Sequence, residues 1–133
     1  MATSETVVRA RDIMRTDVYY IDGMATVIEA AAIMRKEKVT SLIVEKRSVD
    51  DAWGMVVAQD IVRGVFIENK KPETLHVFEI MSKPVVAVPP DMDVRYVARL
   101  MNRVGVHRLP VDDNGSIVGI VLQADLILKE ALF

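Results

Sequence analysis

The chain has 133 residues, 17 Lys and Arg against 19 Asp and Glu for a formal charge of −2, and no cysteine; that length suffices for one domain with its own core. Missing cysteine excludes disulfides, thiolate catalysis and cysteine zinc sites, and the near-neutral balance argues against nucleic acid or an acidic membrane as partner. No run of about 18 uninterrupted apolar residues occurs and the opening MATSETVVRARD lacks a signal-peptide core, so a soluble, cytoplasmic protein is expected.

An internal repeat organises everything that follows. Asp12-Ile13-Met14 recurs as Glu79-Ile80-Met81, and the same shift carries Val18 to Val85, Val27 to Val94, Ala31 to Ala98, Met34 to Met101 and Val39 to Val106. Gly54-Met55-Val56 then matches Gly119-Ile120-Val121, and Asp60-Ile61 matches Asp125-Leu126, at a shift two residues shorter.

In chain order, Val18 to Ile21 is a short β-branched and aromatic run closed by Asp22-Gly23, which predicts a strand. Thr26 with Glu29 forms a capping box, and Val27, Ala30, Ala31 and Met34 share one helical face, so a helix follows. Its end, Arg35-Lys36-Glu37-Lys38, reads as a solvated terminus where cations are favoured. Ser41 to Val44 and Trp53 to Val57 predict a hairpin across Glu45 to Ala52, and Asp60 heads an apolar helical segment.

The polar stretch from Glu68 to Thr74 (68–74) is a linker, after which the order repeats. Val85 to Val88 is the expected strand, closed by Pro89-Pro90-Asp91. Asp93 caps a helix whose stripe is Val94, Val97, Ala98 and Met101. His107 to Val111 and Ile117 to Val121 form a hairpin over the turn Asp112-Asp113-Asn114-Gly115, and Asp125 heads the last helix. The expected architecture is mixed α/β (α+β): a single module over 1–133, with repeats at 7–67 and 75–133, each strand-helix-strand-strand-helix. A lone unit of this size buries little surface, so the two are expected to pack sheet to sheet about a pseudo-twofold axis.

The D-I-M opening, the helix after a turn, the strand His107-Arg108-Leu109-Pro110-Val111-Asp112 and the G-I-V-x-x-x-D segment, occurring twice in one order, resemble the CBS domain family over nearly the whole chain. The resemblance implies a tandem pair, or Bateman module, with clefts between its repeats that take adenosine ligands such as AMP, ADP, ATP or S-adenosylmethionine, and it implies pairing of modules into dimers. Carried across residue by residue, one cleft joins Val8, Ile13 and Val39 to His107, Arg108, Leu122 and Asp125. The other joins Leu75, Ile80 and Val106 to Thr40, Ser41, Val57 and Asp60. Asp60 and Asp125 match the family's ribose acids. Helix capping explains an aspartate at either place equally well.

One departure stands out. The family's hydroxyl position, which contacts phosphate, is Val57 in the first repeat and Leu122 in the second, so neither side chain can make a bond typically worth about 1.5 to 3 kcal/mol to a charged partner. Arg108 in the first cleft and Arg63, one turn beyond Asp60, in the second are the cations placed to replace it.

Catalytic templates are missing: no G-x-S-x-G elbow, no Walker loop and no G-x-G-x-x-G occur, so no enzyme activity, no cofactor and no catalytic residue are expected. His107 and His76 are the two histidines, without an acidic cluster, so no metal is expected either. Met14, Met34, Met81 and Met101 read as core fillers, and Tyr19 and Tyr20 as strand packing. The segments after Asp60 (Ile61, Val62, Val65, Phe66) and after Asp125 (Leu126 to Phe133) are apolar on more than one face, which predicts a homodimer through these helices. The leading functional expectation is a sensory module that binds an adenosine nucleotide and is read by a regulated protein whose identity the sequence does not give. A ligand-free dimerisation scaffold is the alternative. Nucleic-acid binding through a local basic face including Arg9, Arg11 and Arg15 comes third.

Overall fold

Residues 7–129 are described by a computed structural model. Chain order is α1 (Ala10–Ile13), β1 (Tyr20–Ile21), α2 (Val27–Glu37), β2 (Ser41–Val44), β3 (Gly54–Val57), α3 (Ala58–Ile61) with a π-helical turn at Val62–Ile67, a 3-10 turn at Val77–Glu79, α4 (Val94–Val104), β4 (Arg108–Asp113), β5 (Ser116–Leu122) and α5 (Asp125–Leu128). This is the expected mixed α/β composition. Glu130 to Phe133, part of the predicted dimer helix, lie outside the described residues.

Two compact units form. One gathers the chain up to Val18 with everything from Val86 onward; the other is Tyr19–Val85. Sequence repeat and spatial unit therefore differ at their edges: α1 and Met14 group with the body of the second repeat, and the equivalent 3-10 turn and Met81 group with the body of the first.

In the Tyr19–Val85 unit the sheet order is β1-β2-β3, with β1 parallel to β2 and β2 antiparallel to β3, Ser41 facing Val57 and Val44 facing Gly54. All four residues of β2 are buried, as a continuous apolar run of strand length requires. Helix α2 starts where expected: the Thr26 side chain accepts from Glu29 N–H while Glu29 accepts from Thr26 N–H. It buries Val27, Ala30 and Met34 and closes at Lys38 in the left-handed conformation, φ 57. The core joins Ile21, Ala30, Met34, Leu42, Val44, Val56 and Val77.

In the other unit β4 and β5 form an antiparallel hairpin with Arg108 facing Leu122 and a register shift after Val111. Asp93 caps α4, accepting from Arg95 N–H at 2.9 Å, and Gly105 ends it in the left-handed region, φ 80. Val94, Val97 and Met101 face a core shared with Ala10, Ile13, Leu109, Val111, Val121 and Leu126.

The strand expected at Val85 to Val88 does not form. Val88 forms an isolated parallel bridge, its N–H donating to Pro110 O and its carbonyl accepting from Asp112 N–H, while Val85 N–H donates to Trp53 O at 3.0 Å. Pro89 and Pro90 follow directly and carry no N–H, so the ladder has no donor with which to continue. The first strand is likewise shorter than the apolar run, reduced to Tyr20 and Ile21. The segment after Asp60 begins as α-helix but widens into a π-helical turn around buried Gly64, where an added Cβ would lie 3.0 Å from Leu75 Cδ2.

Candidate functional site

The two segments that open the repeats dock in the same way. Arg15 and Ile120 exchange backbone hydrogen bonds at 2.8 and 2.9 Å, and Ser82 and Met55 do so at 2.9 Å in each direction. Both clasps lie against a glycine. A Cβ on Gly119 would sit 2.5 Å from Met14 Sδ and 2.9 Å from Arg15 O; one on Gly54 would sit 3.1 Å from Met81 Sδ and 3.2 Å from Ser82 O. The paired glycines of the sequence repeat are thus the places where the backbone of an opening segment comes close to a strand.

The clasp at Ile120 delivers Arg15 to Asp125. Arg15 Nε donates to Asp125 Oδ2 at 3.0 Å and Nη2 donates to Oδ1 at 3.2 Å, a fork across both carboxylate oxygens. Lys129 Nζ is 3.9 Å from Oδ2 and donates to the carbonyl of Ile13 at 3.1 Å. The Asp125 side chain is 1% exposed and that of Arg15 is 49% exposed. The guanidinium hydrogen bonds hold the Asp125 carboxyl below the usual carboxylate range, although burial alone would raise it, and the same contact raises Arg15.

The same unit contains most of the first predicted set. Val8 is partly buried against the core and accepts from Val94 N–H at 2.9 Å, and Ile13 is core. Arg108 is half-buried opposite Leu122, and burial pushes its guanidinium pKa down. His107 is exposed, with its carbonyl accepting from Gln123 N–H at 2.8 Å. Val39, by contrast, belongs to the Tyr19–Val85 unit and packs against that unit's core.

The second predicted set falls in the Tyr19–Val85 unit except for Val106, which packs on the core of the other. Leu75 and Ser41 are buried, Ser41 faces Val57, and the Thr40 carbonyl accepts from Ala58 N–H at 2.9 Å. Ile80 lies at the edge of the core. Here the acid is held locally. Asp60 accepts from Val57 N–H at 2.9 Å, the capping role open to it from the sequence, and from Arg63 Nη2 at 2.9 Å.

Two functional groups were not assigned to either site from the sequence: Arg15, noted only as part of a basic face, and Lys129. A signal for Arg15 existed in the repeat itself, since its counterpart is Ser82 and a cation placed directly after the D-I-M motif breaks the internal symmetry.

Elsewhere in the Tyr19–Val85 unit a cavity of about 270 Å³ lies at the far end of β2 from Ser41, lined by Gly23, Met24, Val44, Phe78 and Met81 with Asp22, Glu45, Arg47 and Lys83. Two acids and two cations cancel there, so its charge names no ligand. Among the described residues no group of three or more His, Asp and Glu converges as a metal site, and no helix is long and apolar enough to cross a membrane.

The chain is 34% identical over 120 residues to an uncharacterized protein, MK0525, of Methanopyrus kandleri, which covers 90% of this chain and 61% of that one, so less than two thirds of that relative is spanned. Its fold is similar to that of a hexameric CBS-CP12 protein from bloom-forming cyanobacteria, with a TM-score of 0.90 and 40% identity over 93% of this chain and 72% of the other. It is also similar to the CBS domain pair of protein MJ0100 in complex with 5′-methylthioadenosine and S-adenosyl-L-methionine, with a TM-score of 0.79 and 25% identity over 94% of this chain and 97% of the other. The CBS domain model matches twice, at residues 10–66 and 77–131, and with the repeated docking of Met14 on Gly119 and Met81 on Gly54 it places the chain in the CBS domain family as a tandem pair.

Proposed function

We propose that this chain is a regulatory module that binds an adenosine-containing nucleotide beside Asp125 and carries out no chemistry on it. The observation that supports this most is a buried carboxylate that follows a β-hairpin and is held by cations from two separate segments, Arg15 and Lys129, in the unit that also carries Arg108 half-buried at the start of β4. A carboxylate accepts from ribose hydroxyls, and the cations suit an anionic ligand. A similar CBS pair, that of MJ0100, is seen with adenosine compounds bound.

Titration with AMP, ADP, ATP and S-adenosylmethionine under thermal melting tests the reading. A ligand at about 100 times its dissociation constant adds about 2.7 kcal/mol to native stability. Asp125→Ala, checked for folding by circular dichroism, is expected to weaken the bound nucleotide about 10- to 100-fold, that is by about 1.5 to 3 kcal/mol, and Asp60→Ala less. A folded Asp125→Ala protein that binds as well as the parent refutes the site. Recovery of ATP or AMP unchanged after incubation tests the absence of turnover.

Assembly is part of the proposal. The turn after Asp60 exposes Phe66 at 75% and Ile67 at 69%, and α5 exposes Ile127 and Leu128, more apolar surface than a solvated helix carries. We assign these faces to a homodimer; a monomeric mass by light scattering at tens of micromolar overturns that assignment. The second reading, a scaffold without ligand, is favoured by Val57 and Leu122 at the hydroxyl positions and by the ion pairs already made by both aspartates. It is the conclusion if no adenosine compound shifts the melt.

A further inference from the structure

In the state described, Asp125 has nothing left to offer a ribose. Both carboxylate oxygens receive the Arg15 fork, at 3.0 and 3.2 Å, and the side chain is 1% exposed, so no lone pair faces solvent. A ligand that uses this acid must first move Arg15 aside. Arg15 is able to move: its side chain is about half exposed, and among the described residues only two of its N–H groups are engaged by a side chain. Lys129 stays 3.9 Å from the acid, anchored on the Ile13 carbonyl, and keeps the carboxylate charged once the fork has left.

A displaced Arg15 guanidinium, half exposed, is left as a cation with a free donor fork directly beside the ligand, and an anionic group of that ligand is the partner its planar donors match best. We propose that binding at Asp125 is an exchange, in which the ribose hydroxyls take the carboxylate and Arg15 takes a 5′-phosphate of the same ligand. This rests on the reading of Asp125 as the ribose acceptor, and it names the ligand class as a 5′-phosphorylated nucleoside. A 5′-thioether gives Arg15 nothing to hold, and S-adenosylmethionine sets a sulfonium cation at the 5′ position where the phosphate would be, its carboxylate lying several bonds further out at the end of the methionine arm. The exchange takes over the role left vacant by Leu122 at the hydroxyl position. It is confined to one unit, because the residue equivalent to Arg15 is Ser82 and the acid there, Asp60, is held by Arg63 from its own helix.

Isothermal titration of the full chain with AMP, adenosine, 5′-methylthioadenosine and S-adenosylmethionine tests this, repeated with Arg15→Gln. The wild type is expected to bind AMP at least ~10-fold more tightly than the other three, a preference that collapses toward unity in Arg15→Gln as AMP loses its phosphate contact. Adenosine or S-adenosylmethionine binding as tightly as AMP overturns the exchange while leaving the nucleotide reading intact, as does an undiminished AMP preference in Arg15→Gln. Binding of none of the four overturns the nucleotide reading itself. Should Arg15→Gln fold poorly, the wild-type ratios decide alone, supported by a salt dependence expected for AMP and not for adenosine.

Discussion

Breaking one ion pair from its two ends should cost unequal amounts, because Asp125 is 1% exposed and Arg15 is 49% exposed. Arg15→Ala strands a carboxylate away from water. The fully buried limit for such a loss is about 3 to 5 kcal/mol, and Lys129 at 3.9 Å offsets part of it, so about 2 to 4 kcal/mol is expected. Asp125→Asn strands a guanidinium that water already reaches and leaves an amide oxygen that still accepts one hydrogen bond; about 1 kcal/mol is expected. With a urea m-value of about 2 kcal/mol/M, the midpoints of the two variants should differ by roughly 0.5 to 1.5 M, measured near neutral pH at one protein concentration so that any dimer contributes equally. The pair also predicts a pH signature. Arg15 holds the folded Asp125 carboxyl below its unfolded value, so its contribution is complete above about pH 4 and disappears as pH falls further. In Arg15→Ala the buried carboxyl protonates more readily, and the gap to wild type narrows on acidification. Equal midpoints for the two variants, or a larger loss in Asp125→Asn, would refute the argument from burial.

Lys38 occupies the left-handed helix end that Gly105 occupies in the second repeat, φ 57 against φ 80. Lys38→Gly should therefore raise stability by about 1 kcal/mol, readable as a melting increase, and no increase would count against backbone strain at this cap. Gly119→Ala places a Cβ 2.9 Å from the Arg15 carbonyl, which cannot move without losing the clasp to Ile120; a loss of about 1 to 3 kcal/mol is expected, larger than for Gly54→Ala, and equal melting of the two variants argues otherwise. Asp51, bonded by Lys83 and by Arg47 N–H, and Asp93, bonded by Arg95, have carboxyl pKa values lowered to about 2. Both favour the fold above the unfolded value near 4 and cease to do so toward pH 2, so acid unfolding should steepen over that interval, and Asp51→Asn should flatten part of it.

Local chemistry was readable in advance and distant pairing was not. The Thr26–Glu29 box, the Asp93 cap and the Asp112-Asp113-Asn114-Gly115 turn each involve residues within a few positions, and each closes hydrogen bonds where the spacing placed them. The run Val85 to Val88 has the composition of a strand, but Pro89 and Pro90 directly after it remove the donors that would extend a ladder beyond Val88. At the site, Asp60 kept the local capping role that its position allowed. Asp125 did not, since its partner lies 110 residues earlier in the chain and periodicity carries no information over that span. The repeat aligned Gly54 with Gly119 but could not reveal that each glycine serves the opening segment of the other copy.

That arrangement sets an order for folding during synthesis. The Tyr19–Val85 unit is one continuous stretch and can close as soon as it leaves the ribosome. The other unit needs α1, made before the Tyr19–Val85 stretch, together with β5 and α5, made after it. At about 5 to 20 residues per second, the 110-residue interval between Arg15 and Asp125 keeps the emerging α1 segment, with Ala10 and Ile13, without its native partners for roughly 5 to 20 seconds. Over that time a nascent chain nearby carries the same late strand, and a completed neighbour could accept the waiting segment as readily as its own chain does. The N-terminal segment is therefore where exchange between copies would begin when many ribosomes translate one message.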